Sequence, residues 1–364
     1  MARLIDRRGF FTMLGGSASA ALLAGCAGEQ AESPAEDVAV TDEAPAQTTG
    51  IDYMVLVNKQ NELPDNWEDE VEIVSFKNTE DWDVDVEKKA YDAYLELKKE
   101  LEGDKVYVDL DSAYRSVAAQ QEIWDDFTEK YGEEYTKLHV AVPGFSEHHT
   151  GLALDLFLII DGKGVYLNED MVTHPKLWKK IHARLADHGF ILRYLPQRKI
   201  MTGYSYEPWH IRYIDDPAIA HEITDAGLTF EEYLGKVDPT VAGCEVDYGT
   251  SELYVETDID SALDAILEQF KTWDGCVMKH IAYAGDEACG AEELDYVNSL
   301  READGVIKEA FDQALVLVTT FHSPSAEEVE GTAWEADTDY EGYTWHMGRT
   351  GADGAWKLMT WGYG

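Results

Sequence analysis

Residues 152–160 are apolar at every position but one, Asp155. An unbroken apolar run of that length reads as a strand covered on both faces, because a strand with one wet face would alternate. Other segments do keep a wet side. Ala90, Ala93, Tyr94, Leu97 and Leu101 recur at helical spacing through 86–101, with lysines near its end, and predict an amphipathic helix. Residues 106–110 alternate as a strand and lead into a second helix over 118–131. Residues 176–188 set Leu177, Ile181 and Leu185 on one helix face, and Gly189 and Phe190 turn the chain into a strand over 191–194. A short strand is predicted over 55–59. In the last strand of this half, a period of two puts His210 and Arg212 on one face and Trp209, Ile211 and Tyr213 on the other. These elements predict an α+β domain over 51–235, a small antiparallel sheet with flanking helices.

After Gly235 a linker over 236–250, with Pro239 and Gly243, precedes a second α+β domain over 251–364. Its helix spans 260–272 with a stripe of Ala262, Leu263, Ile266, Leu267 and Phe270, and strands follow over 314–321, 342–349 and 356–361. One helix followed by long antiparallel strands resembles the cystatin and nuclear-transport-factor folds. Aromatic residues of the last strands are expected as core and cross-strand packing.

The amino terminus reads as an address. Arg7-Arg8 precedes a weakly apolar run over 13–24, which resembles a twin-arginine export signal, and Leu23-Ala24-Gly25-Cys26 resembles a lipobox with Cys26 as lipid anchor. The run is too short and too rich in Gly, Ala and Ser for a permanent span. Residues 27–50 carry acidic residues and no basic one, so a disordered tether is expected. An exported lipoprotein facing the cell wall follows. The net charge of −43 argues against nucleic acid as a partner and against electrostatic docking on anionic lipid, since both need a basic face. Of four cysteines, Cys26 is taken by the anchor; oxidising surroundings predict a Cys276–Cys289 disulfide and a free Cys244.

The candidate chemistry begins at Asp155. A carboxylate in an apolar strand is costly unless hydrogen-bond donors, an arginine or a cation compensate it, and a divalent metal shared with His148 would do so. The segment Glu207-Pro208-Trp209-His210 offers a third ligand, His210, with a carboxylate three residues before it. Two histidines and one carboxylate leave an open position on tetrahedral zinc, the arrangement of a hydrolytic site and not of a closed structural one. His174, His182, His188, His280, His322 and His346 show no such spacing.

Ser-x-His-x-x-Gly-x-Ala-x-Asp over 146–155, followed by Glu-Pro-Trp-His-x-Arg-Tyr over 207–213, resembles the zinc D-alanyl-D-alanine carboxypeptidases of the VanY type. These group with lysostaphin-type peptidases and the hedgehog signalling domain. Further matches are Ser-Ala-Tyr-Arg-Ser over 112–116 with Gln120, Val-Leu-Val-Asn-Lys over 55–59, and Gly-Phe-Ile-Leu-Arg-Tyr over 189–194. The resemblance covers 51–235 and does not reach the last third. It implies one catalytic zinc on His148, Asp155 and His210, selecting His148 over the adjacent His149. It implies Glu207 as the general base that activates water and protonates the leaving amine. Arg115 would hold a peptide's terminal carboxylate or the developing oxyanion through its planar fork, with Ser116 and Gln120 nearby. Ser146 would hydrogen-bond substrate or orient His148.

The implied substrate is a peptidoglycan stem peptide ending in D-Ala-D-Ala. The same motifs fit an L,D-carboxypeptidase acting on tetrapeptide stems, or a cell-wall endopeptidase. A wall-binding lipoprotein without activity is the remaining alternative, and the complete set of base and ligands speaks against it.

Overall fold

The computed structural model describes residues 50–133, 136, 140–329, 334–352 and 354–363. The expected export signal, the expected lipid anchor at Cys26 and the expected tether up to residue 49 lie outside the described residues. Among the described residues no helix is long and apolar enough to cross a membrane.

In the first half, hairpin strands β1 (Ile73–Lys77) and β2 (Asp83–Glu87) pair antiparallel and run into helix α1 (Lys88–Gly103). Glu87 caps that helix by accepting from the Ala90 N–H, and Ala90, Tyr94, Leu97 and Leu101 form its buried stripe. Strand β3 (Val108–Ser112) and helix α2 (Val117–Tyr131) follow. Then come β4 (Ala153–Ile160), β5 (Lys163–Val165), helix α3 (Pro175–Leu185), β6 (Phe190–Leu192), a short helix α4 (Lys199–Thr202) and β7 (His210–Tyr213). Helices α5 (Pro217–Ala226) and α6 (Phe230–Tyr233) close this half. The sheet has the order β3-β4-β7-β6, with β5 on the side of β4. Strand β4 is therefore central, which is why residues 153–158 are buried without alternation.

Residues 55–59 form no strand, although Val55 and Val57 are buried as a strand would have them. Arg212 Nη2 takes the carbonyls of Tyr53 at 2.8 Å and Val55 at 2.9 Å, so a guanidinium stands where a ladder partner would be. Asn58 then turns the chain, its Oδ1 accepting from the N–H groups of Gln60 and Asn61.

The second half is a five-stranded sheet of order β12-β11-β10-β9-β8, comprising β8 (Glu245–Asp247), β9 (Val277–Tyr283), β10 (Gln313–His322), β11 (Asp339–Arg349) and β12 (Lys357–Gly362). Helices α7 (Glu256–Phe270) and α8 (Ala291–Asp304) accompany it, so the described residues of this half hold two helices where the pattern predicted one. The stretch 236–250, expected as a linker, supplies β8 and buries Val241, Cys244 and Tyr248. The expected Cys276–Cys289 disulfide is absent. Cys244, Cys276 and Cys289 are all buried thiols, and Cys289 Sγ accepts from the Val316 N–H at 3.2 Å. Burial pushes the Cys244 thiol up to about 12 and that of Cys276 to about 11.

One buried charge ties α1 to the sheet. Asp109, 1% exposed in β3, accepts from the Tyr94 hydroxyl at 3.0 Å and the Thr79 N–H at 2.8 Å, and pairs with Lys98 at 3.0 Å. Burial alone would raise its pKa; the Thr79 N–H and Lys98 outweigh it and hold the group below the usual carboxylate range. A depressed folded-state pKa stabilises the fold above the unfolded value of about 3.9, and that stability is lost as pH falls through the folded value. Asp109→Asn is expected to cost about 2 kcal/mol in urea unfolding at pH 7. The gap to the unmodified chain should narrow below about pH 4.

Candidate active site

Register brings the ligands together. Asp155 of β4 lies opposite His210 of β7. His148 arrives from a 3-10 turn, Glu147–Thr150, that leads into β4. Gly151 ends the turn at φ 72°, where a Cβ would come 3.0 Å from Ile73 Cδ1 and 3.2 Å from the Glu87 nitrogen. Strain and crowding together require glycine there.

His148 Nδ1 lies 2.7 Å from the Ala113 carbonyl, which assigns the proton to Nδ1 and leaves Nε2 as the lone-pair nitrogen. That Nε2 is 3.3 Å from Asp155 Oδ2, and His210 Nδ1 is 3.0 Å from Asp155 Oδ1. The three ligand atoms all lie within 4.8 Å of one another, and all three residues are buried. Ligands about 2.1 Å from a tetrahedral zinc sit roughly 3.4 Å apart, so the donor set and its spacing fit one such ion.

The electrostatics fit too. Burial lowers the His148 pKa to about 4, with the charges of Arg115 and His210 adding to the effect against Asp155. The ring is then neutral at pH 7, as a ligand must be. Burial also disfavours charge on His210, but hydrogen bonds to Asp155 and Glu147 push it up to about 9. A carboxylate field that draws a proton onto an imidazole also draws a metal cation.

Behind His210 lies a buried charge network. His210 Nε2 is 3.3 Å from Glu147 Oε2, while Glu147 Oε1 accepts from Arg193 Nε and Arg212 Nη1, each at 2.9 Å. Arg193 pairs bidentately with Glu231 at 2.7 and 2.9 Å, and Asn58 Nδ2 donates to Glu231 at 3.0 Å. Burial alone would raise the Glu147 pKa; Arg193 and Arg212 outweigh it and hold the group far below the carboxylate range. A metal-ligating histidine is oriented by what its second nitrogen donates to, and Glu147 takes that position. Sequence reading missed this layer. Arg212 sharing a face with His210 was the available signal, since an arginine on a buried face needs an acidic partner.

The other expected residues fall nearby with distinct contacts. Glu207 Oε2 is 3.6 Å from His210 Nδ1, on a side chain 26% exposed, so this carboxylate stands at the mouth of the cluster. Arg115 donates through Nη1 to Gln120 Oε1 at 2.9 Å, and its backbone N–H donates to the His148 carbonyl at 3.0 Å. Gln120 is 1% exposed and spends its amide on the Ala141 carbonyl at 2.7 Å, so it faces Arg115 and not open space. Ser116 caps α2 by accepting from the Ala119 N–H. Ser146 is buried at the start of the 3-10 turn, its carbonyl accepting from the His149 N–H. His149 points elsewhere, bridging the Arg115 carbonyl and the Gly144 N–H. His182, set aside on spacing, holds the Pro208 carbonyl at 2.9 Å and so steadies the segment that carries Glu207 and His210.

Such a cluster, with an ionisable group at its open side and a guanidinium close by, belongs to a metal-dependent hydrolase. The family model for D-alanyl-D-alanine carboxypeptidase, VanY, matches residues 83–216, which include all three ligands and Glu207. YodJ of Bacillus subtilis is 37% identical over 189 residues, covering 50% of this chain and 67% of YodJ. A D-alanyl-D-alanine carboxypeptidase of Enterococcus faecalis is 34% identical, covering 50% of this chain and 65% of that protein. A zinc-bound variant of the vancomycin-resistance D,D-pentapeptidase VanY is 30% identical at a TM-score of 0.40, covering 50% of this chain and 98% of that one. The chain belongs to the VanY family of D-alanyl-D-alanine carboxypeptidases, and its His148, Asp155 and His210 fit a single zinc ion.

Glu147→Gln keeps the shape of the side chain and removes its charge. In chelator competition this variant is expected to bind zinc about 10- to 100-fold more weakly.

Proposed function

We propose that residues 51–235 remove the terminal D-Ala from peptidoglycan stem peptides outside the cytoplasm, and that the rest of the chain, with β8 from 236–250 as its first strand, forms a second unit packed against them. The observation that carries the reading is the convergence of His148, Asp155 and His210 with Glu207 3.6 Å from His210 Nδ1. His148, Asp155 and His210 would hold the zinc, which when bound would supply a Lewis acid for the scissile carbonyl and a water nucleophile at neutral pH.

Glu207 accepts a proton from the attacking water as its oxygen bonds to the carbonyl carbon. It then delivers that proton to the leaving nitrogen as the C–N bond breaks. Partial exposure suits this task, because the carboxylate must meet both water and substrate. Arg115 receives the terminal carboxylate or the oxyanion, and Gln120 fixes the guanidinium from behind. Ser116, next to Arg115 at the start of α2, and Ser146, two residues before His148, would contact the bound peptide. Lipid anchoring through Cys26, with the acidic stretch 27–50 as spacer, would hold the enzyme at the membrane and facing its substrate.

With zinc-loaded intact chain and synthetic stems, D-Ala release from pentapeptide is expected, abolished by chelator and restored by zinc. Cleavage of tetrapeptide in its place would assign L,D specificity, and cleavage of a carboxyl-amidated stem would assign an endopeptidase. Glu207→Ala should keep one zinc per chain and lose about 100- to 10,000-fold in kcat. A normal rate in that variant removes Glu207 from the role of base.

A further inference from the structure

The loop between β6 and β7, residues 193–209, carries Glu207, and it is gripped from outside the catalytic sheet. At its middle, α4 buries Ile200 and Met201 in the same packed cluster as Ile259, Leu263 and Ile266 of α7. Lys199 Nζ lies 2.8 Å from Asp264 Oδ2 on that helix, the two side chains being 11% and 27% exposed. Gln197 donates to Glu256 at 3.2 Å. Ser205 hydrogen-bonds Asp260, which the Tyr248 hydroxyl also meets at 2.6 Å. Positions 197, 199, 200, 201 and 205 are thus all tied to α7 or its surroundings, in the half of the chain that the family match does not reach. On its other side the loop meets the catalytic half, where α4 packs on α6 and the Lys59 ammonium sits 5.0 Å over the Tyr204 ring. From there ring contacts lead to a ligand: Tyr204 lies 4.7 Å from Tyr194, and Tyr194 lies 4.8 Å from His210.

We infer that the carboxyl-terminal unit is a brace that positions the base, with α7 setting where the loop, and therefore Glu207, stands against the substrate. The inference rests on the reading of Glu207 as general base. A connection this long between two short strands has little secondary structure of its own to hold it. Proton transfer depends on placement, and a shift of about 1 Å can cost about 100-fold. Within the unit that shapes the loop, Asp264 is a positioning residue, since it touches neither the ligands nor Glu207. Its pairing with Lys199 is mostly withdrawn from solvent, which lets it fix geometry as a freely exposed pair would not.

The test is charge reversal in the zinc-loaded intact chain, read by D-Ala release and by hydrogen exchange. Asp264→Lys is expected to lower kcat by about tenfold or more, with KM and zinc content unchanged within about twofold. Amides over 197–207 should exchange faster, while those of β4 and β10 keep their protection. Combining Asp264→Lys with Lys199→Asp should restore both kcat and the slow exchange. Should the reversal unfold the chain, Asp264→Asn reads the same effects at smaller amplitude. The brace is overturned if loop exchange quickens while kcat holds, if neither changes, or if the double reversal fails to rescue. Full activity of Glu207→Ala overturns the base assignment, a separate result that the exchange data do not depend on.

Discussion

Asp155 lies 1% exposed in the central strand of its sheet, with Ser112 opposite it on one side and His210 on the other. An ionised carboxylate at that depth costs several kcal/mol unless positive charge meets it. The surroundings answer this demand in layers. His148 is kept neutral with its lone pair turned inward by the Ala113 carbonyl. His210 is held by Glu147 on one nitrogen and faces Asp155 with the other. Glu147 in turn is neutralised by Arg193 and Arg212. The pattern alternates in sign from the cluster outward, and a divalent cation held by His148, Asp155 and His210 would complete it at the centre.

This alternation also accounts for the shape of the chain around the site. Arg212 reaches through the core to the carbonyls of Tyr53 and Val55, so residues 55–59 are recruited as hydrogen-bond acceptors and not as a sheet strand. Asn58, at the turn that follows, reaches Glu231 on α6. Segments that look like connections thereby become the outer wall of the charge network. A buried network is costly when only partly satisfied, which is why so many separate segments contribute to it.

The inner layer was legible in the sequence and the outer one was not. Asp155 interrupts an otherwise apolar run, and Glu207 and His210 flank a Pro-Trp pair at a fixed spacing, so both are visible as local exceptions. Glu147 is one acidic residue among 72 aspartates and glutamates. Its importance arises only when Arg193, just past β6, and Arg212, on β7, arrive beside it from far along the chain. The helices of the first half were visible because their apolar stripes are regular. Helix α8 was missed because among its residues only Val297 and Arg301 are buried, too few for a stripe. The disulfide is absent because β9 carries the two cysteines apart: Cys276 precedes Val277, which pairs with His322 at the end of β10, whereas Cys289 Sγ meets the Val316 N–H well back along that strand, a separation that sequence spacing does not reveal.

The claim on which all of this depends is that one ion joins three side chains from two separate segments. Anomalous diffraction from zinc-loaded crystals tests it directly. The expected result is a single strong peak within about 2.2 Å of His148 Nε2, His210 Nδ1 and an Asp155 oxygen, with the remaining position open toward Glu207. A peak elsewhere in the chain, or an ion whose fourth position is filled by Glu147 or another protein group, would contradict the account.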